Sequence, residues 1–320
     1  MKILVIQNRM GIGDTVIFLP FIKALYKKFN SPVSLLVKES SKADQYLYET
    51  DYIDKILILD RDSNNNNRDN GFFGSLSLIK DLKKHNFNKI FIFNSSIRFN
   101  LIARFSNIPE IYQYPLFSKY KQHITNTPKK FIKDTIDVDV AEDPVIEIGN
   151  KFILEAIKKF EINKNELNIL MGIGGSGPTK RIPSRIFLEV IDKILRVKKC
   201  NFFLATGKNN EEQTILNEIL DSNYKKYCVP LDKLSIKETL PVIKCCNISI
   251  CNDSSFSHLS AALGIKTITL MADTPLIYGN YSSNMFPILP DGEKTVSHNA
   301  LGKERISSEK IYDKFIEIND

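Results

Sequence analysis

Short runs of aliphatic and β-branched residues alternate along this chain with longer amphipathic stretches, and no other feature restricts its fold as strongly. Strands covered on both faces read as continuous apolar runs, and parallel neighbours need a crossover of a dozen or more residues, most often a helix. Residues 3–7, 33–37, 55–59 and 89–94 read as such strands, and 15–29, 76–85 and 98–105 as the helices between them. The pattern then lapses. Residues 115–150 carry Pro115, Pro128, Pro144 and Gly149 among charges without a clean period, and 61–74, with four asparagines at 64–67, read as a mostly polar loop.

The alternation restarts with helices at 151–160, 184–197, 211–220, 235–244 and 256–263. Strands are expected at 168–172, 201–206, near Tyr227, at 247–251 and at 266–271. A last helix, 307–318, follows the capping pair Ser307 and Ser308 and is free in sequence terms to pack back on the first domain. The chain is therefore expected to be α/β with two doubly wound domains, 1–148 and 149–320, and 320 residues suffice for two cores without disulfides. Open sheets of this kind bind ligands at the carboxyl ends of their strands, so a cleft between the two is the expected site.

Composition narrows the class. Basic residues outnumber acidic ones by 44 to 37, split as 21 to 17 before residue 150 and 23 to 20 after it. That mild excess suits an acidic substrate or contact with an anionic membrane face, and is too small and too evenly spread for a nucleic-acid binder. The apolar start, 1–6, turns polar at Gln7 and is too short for a signal peptide, and no run nears the roughly 20 residues of a membrane helix. Five cysteines, all after residue 199 and without Cys-x-x-Cys spacing, read as reduced and structural, and give no support to a metal site. A cytoplasmic enzyme, peripheral to the membrane at most, is the expectation.

Three constellations carry chemistry. Gly11, Ile12, Gly13 and Asp14 follow the first strand and open the first helix, where bare amides favour an anion. Val16 stands where the dinucleotide fingerprint needs its last glycine, so an ordinary NAD site is not expected. Asp14 reads either as the helix cap or as a carboxylate able to take a proton from a hydroxyl nucleophile. The second constellation, 172–187, holds Gly172, Gly174, Gly175 and Gly177 before Lys180 and Arg181, an open backbone and two cations suited to phosphate but not in P-loop order. The third, 252–258, places Asp253, Ser254, Ser255 and His258 at a strand end and helix start, a donor cluster suited to a diphosphate. Gly207 ends another strand shortly before Glu211 and Glu212, either of which is placed to accept from ribose hydroxyls or to complement a helix dipole. His85, His123 and His298 show no partner spacing.

In this order the three constellations resemble those of glycosyltransferase family 9, the ADP-heptose:lipopolysaccharide heptosyltransferase family. The segment 11–25, GIGDTVIFLPFIKAL, is similar to that family's Gly-Asp, Pro, Ala-Leu pattern; TKRIPSRIF at 179–187 resembles its Lys-x-Trp-Pro segment, with Ile182 in place of tryptophan. NDSSFSHLSAALG at 252–264 resembles its Asp-[ST]-[GS]-x-x-His-x-x-Ala-Ala stretch, while the family's Gly-Pro-Thr-Asp-Pro loop appears as Met271, Ala272, Asp273, Thr274, Pro275. The resemblance implies a GT-B fold of two Rossmann-like domains, acceptor on the first and nucleotide-sugar on the second, and inversion without a metal or other cofactor.

It also implies roles. By position Asp14 would be the catalytic base, and beside the resemblance Gly13 and the basic Arg98 are candidates for meeting the acceptor. Lys180 and Arg181, Gly207, Glu211 or Glu212, and Asp253, Ser254, Ser255 and His258 line the donor. The implied partners are a nucleotide-sugar, most simply ADP-heptose, and a lipopolysaccharide-core or related glycan acceptor. Lys23, Lys27, Lys28, Arg98, Arg104, Lys119 and Lys121 are candidates for meeting an anionic acceptor or lipid surface. Two other readings of the same residues stand beside transfer: a sugar-nucleotide 2-epimerase on this fold, and a nucleotide-sugar-binding protein without catalysis.

Overall fold

A computed structural model describes residues 1–61, 67–116, 123–298 and 300–319. The asparagines at 64–66, and Lys119 and Lys121, lie outside the described residues. Two compact units divide at Met1–Pro144 and Val145–Asp320.

In the first unit the strands β1 (Ile3–Gln7), β2 (Val33–Lys38), β3 (Ile53–Leu59), β4 (Lys89–Ile92) and β5 (Glu110–Gln113) form one parallel sheet in the order β3-β2-β1-β4-β5. The helices are α1 (Ile12–Phe29), α2 (Gly71–His85), α3 (Ile97–Phe105) and α4 (Asn126–Ile136). Alternation along the strands sorts the layers. Leu4, Ile6, Ile90 and Ile92 share a buried cluster with Leu78 and Leu82 of α2 and Phe99, Ile102 and Ala103 of α3. Phe91 and Phe93, one position out of step, meet Phe18 of α1 and Phe131 of α4 edge to face, with Phe93 centred 5.4 Å from Phe18 and 5.2 Å from Phe131.

Helix α4 corrects the expectation of an irregular stretch. Pro128 is its third residue, where a missing N–H costs nothing, and Pro128, Phe131, Ile132 and Ile136 are all buried at helical spacing. Helix α2 likewise starts at Gly71, inside the stretch read as a polar loop. Three helices of this unit stop on left-handed residues suited to that conformation: Asn30 after α1, Asn86 after α2 and Asp137 after α4.

The second unit holds α5 (Asn150–Lys159), β6 (Leu167–Gly172), α6 (Ser184–Leu195), β7 (Cys200–Ala205), α7 (Asn210–Leu220), β8 (Cys228–Pro230) and α8 (Ile236–Lys244). It continues with β9 (Ile248–Asn252), α9 (Ser255–Ala262), β10 (Lys266–Leu270), β11 (Met285–Ile288) and α10 (Ser308–Asn319). Its parallel sheet runs β11-β10-β9-β6-β7-β8. β11 was not expected from MFPI, but Pro287 is tolerated because the strand lies at the edge. Ser235 and Glu238 form a reciprocal capping box that starts α8. In helix α10, Ile311, Phe315 and Ile318 enter the second unit's core beside Ile186 and Val190 of α6 and Ile268 of β10.

Each sheet has a point where successive strands leave in opposite directions, between β1 and β4 in the first and between β6 and β9 in the second. Loops diverge there at the carboxyl edge and leave a crevice. The Gly11–Asp14 turn borders the first crevice, and the glycine-rich run and the 252–258 segment border the second.

Candidate active site

At the first crevice the chain leaves β1 and enters α1 through Gly11, whose φ of 101° is a conformation that a side chain would strain. Gly11, not Asp14, holds the cap position. Asp14 is the third helical residue and shares the first turn with Gly13, so the carboxylate gains from the helix dipole. Gln7 supports the turn from below: its amide nitrogen donates to the Asp14 carbonyl at 3.1 Å and its oxygen accepts from the Arg9 N–H at 2.7 Å. The Arg9 guanidinium stands 3.9 Å from the Asp14 carboxylate, and both side chains are partly exposed, at 32% and 22%. Across the crevice Asn94 donates to Asn8 at 3.1 Å and accepts from the Ser96 N–H at 2.9 Å, which ties the β1 and β4 loops together.

Arg98 Nε donates to Ser75 Oγ at 2.8 Å and one terminal nitrogen donates to the Asp69 carbonyl at 2.5 Å, which joins α3 to the start of α2, while the other terminal nitrogen is buried without a hydrogen-bond partner.

The second crevice is built by three loops. After β9, the Asn252 amide donates to the Ile173 and Gly174 carbonyls at 2.8 and 3.2 Å, joining the two sides of the strand-order reversal. Lys180 Nζ donates to Asp253 Oδ2 at 2.8 Å. Asp253 is only 3% exposed, against 23% for the lysine side chain, so the carboxylate is inside and the ammonium reaches toward solvent. Burial alone would raise the Asp253 carboxyl, but the neighbouring Lys180 charge, with His258 adding to it, holds it below the usual carboxylate range. Asp253 precedes the cap position, which belongs to Ser254, and so is not the helix cap.

His258 lies one turn into α9, buried, with Nδ1 hydrogen-bonded to the Tyr281 hydroxyl at 2.8 Å and the two rings stacked 5.6 Å apart. Its Nε2 is 3.9 Å from Asp253 Oδ1. Burial, with Lys180 adding to it against the opposing Asp253 charge, lowers its pKa from 6.5 to about 4. The imidazole is therefore neutral at pH 7. Because the unfolded chain takes up this proton at higher pH than the folded one, stability is fully present above about 6.5 and lost as pH falls toward 4. At about 1.36 kcal/mol per pH unit that window is worth about 3 kcal/mol. Melting temperature followed from pH 7 to 4.5 is expected to fall less steeply in His258→Gln than in wild type, and parallel curves would contradict the assignment.

At this helix start Ser254 Oγ and Asn252 Oδ1 are buried without a hydrogen-bond partner, as is Thr206 Oγ1 just after β7. Ser255 begins α9, and its amide is among those a helix leaves unpaired. Buried polar atoms are rarely left unsatisfied, so such a cluster marks a place for a ligand or water. Ser257, by contrast, is spent locally on the Ser254 carbonyl at 2.8 Å.

The acidic pair after β7 separates into two roles. Glu212 is buried, accepts from the Gly175 N–H at 2.8 Å and is bonded by the Asn209 side chain, which also caps α7 through the Glu212 N–H at 3.0 Å. Gly207 and Gly174 make room for it: a Cβ on either would come within 2.2 and 2.5 Å of its carboxylate oxygens. Glu212 thus secures the glycine-rich loop. Glu211 is exposed and pairs with Arg181, whose Nε donates to the Gly175 carbonyl at 2.9 Å.

Sequence reasoning missed Tyr281, which lies 23 positions from its histidine partner, and the use made of Asp273. That buried aspartate accepts from Thr179 Oγ1 at 2.5 Å and from the Ala300 N–H at 2.7 Å, so the Met271–Pro275 segment anchors the residue preceding Lys180.

Two units, each a doubly wound parallel sheet, are the architecture of the GT-B fold. The model of glycosyltransferase family 9 (heptosyltransferase) matches residues 111–286, and the chain belongs to that family. It is 23% identical to lipopolysaccharide heptosyltransferase 1 of Campylobacter coli over 334 residues, covering 95% of this chain and 93% of that one. Among solved structures, the family 9 glycosyl transferase of Veillonella parvula superposes with a TM-score of 0.80 at 19% identity, over 99% of this chain and 96% of that chain. ADP-heptose lipopolysaccharide heptosyltransferase II of E. coli gives 0.75 at 16%, over 100% and 98%. The chain is therefore a glycosyltransferase, and no helix among its described residues is long and apolar enough to cross a membrane.

Proposed function

We propose that this glycosyltransferase moves heptose from ADP-heptose to a hydroxyl of a lipopolysaccharide-core acceptor, inverting the anomeric centre without a metal. The observation that carries the reading is the second crevice: a lysine held by a buried aspartate, beside a helix start whose Ser254 hydroxyl lacks a protein partner. The names of the relatives supply the sugar and the nucleotide.

As the acceptor oxygen attacks the anomeric carbon, its proton passes to the Asp14 carboxylate, the new C–O bond forms, and the bond to the diphosphate oxygen breaks with its electron pair leaving on ADP. Charge thus grows on the β-phosphate. Lys180 and the amides and hydroxyls of Ser254 and Ser255 supply positive potential there, the task a metal performs in other transferases. Gly13, next to Asp14 in the first turn of α1, stands with the acceptor. Glu211 is the acid placed for the ribose, with Arg181 and Gly207 shaping that edge. Buried and neutral, His258 holds Asp253 and Tyr281 in place without adding a proton to the reaction.

Incubating the protein with ADP-heptose and a core acceptor should release ADP in step with a product of inverted anomeric configuration by NMR. ADP-heptose alone should persist unchanged. An epimer formed from donor alone would replace this reading with the epimerase, and tight donor binding with no turnover on any core acceptor would replace it with a binding protein.

A further inference from the structure

We infer that the outer surface of α2 and α3 is a docking face for an anionic lipid bilayer. Both helices cover the same side of the first unit's sheet and both begin at its carboxyl edge, where Arg98 ties their first turns together. Their inner positions are core. Their outer positions carry Phe72, Phe73 and Leu76 on α2 and Ile97, Leu101 and Phe105 on α3, the last three spaced four apart on one stripe. Phe72, Phe73 and Phe105 are 73%, 83% and 61% exposed, and among the described residues no other phenylalanine is as exposed. Single exposed apolar residues need no explanation, but six on adjoining helices of one layer do.

Charge selects the occupant. Exposed Lys80, Lys83 and Arg104 lie on these two helices beside the apolar positions, and the one acid within the helices, Asp81, is already paired with Lys84 at 2.9 Å and with Arg68. A second copy of the same face would bring these cations against one another. An anionic headgroup layer satisfies them while the phenylalanines enter the acyl boundary, the composition of an interfacial surface. The basic residues of α1 do not contribute equally: Lys27 pairs with Glu142, and Lys23 sits 5.9 Å over the Tyr52 ring. Docking through α2 and α3 lays the carboxyl edge, with the Asp14 turn, close to the lipid surface, and here the inference rests on the proposed glycolipid acceptor.

The chain has no tryptophan, so Phe73→Trp introduces a single tryptophan, selectively excited at about 295 nm, at the face. Its emission is expected to shift to the blue with vesicles of phosphatidylethanolamine and phosphatidylglycerol, and to stay put with pure phosphatidylcholine. Co-sedimentation with the anionic vesicles should fall about tenfold or more in Phe72→Ser/Phe73→Ser and weaken with salt. That double variant should still turn over a detergent-dispersed acceptor at the wild-type rate; if no protein transfers sugar, the functional reading fails while the vesicle result stands by itself. No shift on anionic vesicles, equal binding to both lipids, unchanged binding by the double variant, or a dimer in sedimentation equilibrium that the double variant abolishes would each overturn the docking face.

Discussion

Asp14→Asn is expected to lower kcat by about a thousandfold while the dissociation constant for ADP stays within about twofold of wild type, since a positioned general base contributes about 10²–10⁴ in rate. The substitution keeps the shape of the side chain and removes only its capacity to take a proton. Its structural cost is small: the Arg9 contact is 3.9 Å long and partly exposed, and an acid in the first helical turn is worth about 0.3–1 kcal/mol. A melting temperature near wild type, with turnover gone and nucleotide affinity kept, therefore isolates the chemistry. Turnover within fivefold of wild type, or an equal loss of nucleotide affinity, would remove Asp14 from the role of base.

The residues that carry this argument were visible in the sequence to unequal degrees, for reasons that lie in the packing. The strands at the centres of both sheets are covered on both faces, so β1, β6, β7 and β9 read directly as apolar runs. α4 and β11 did not, because Pro128 and Pro287 look like breakers until one knows that they occupy a first helical turn and an edge strand. α10 has an amphipathic pattern that any apolar surface would satisfy, and only the contacts with α6 show which core receives it. Within the site, Lys180 and Asp253 were each legible, but nothing in a linear spacing of 73 positions says that they meet. Glu211 and Glu212 are chemically identical neighbours. The cavity left by Gly174 and Gly207 decides which one becomes part of the scaffold, and a pocket made by absent side chains has no signature in one sequence.

The Lys180–Asp253 pair yields the second large effect, and a double variant separates its two roles. In Lys180→Ala the carboxylate of Asp253 remains buried without its partner; breaking a buried pair from one side costs about 3–5 kcal/mol, and the lysine's partial exposure places this case near about 3. Turnover should fall as well, by about 10²–10³, through loss of the cation at the leaving diphosphate. The pH dependence of stability should change with it. In wild type the Asp253 carboxyl is held below its ordinary range, so its contribution is present above the unfolded pKa and lost as pH falls through the folded one. Without the lysine, burial dominates and raises the same carboxyl. Protonation then relieves the variant, and its deficit against wild type should narrow as pH drops from 7 toward 4. Lys180→Ala/Asp253→Asn replaces the stranded charge with a neutral amide and is expected to regain most of the lost stability at pH 7 while transfer stays impaired. Thermal melts across pH and single-turnover rates on the three proteins decide the matter. If the double variant recovers turnover along with stability, Lys180 serves only to neutralise a buried acid, and the positive charge at the leaving group must come from the amide groups at the start of α9.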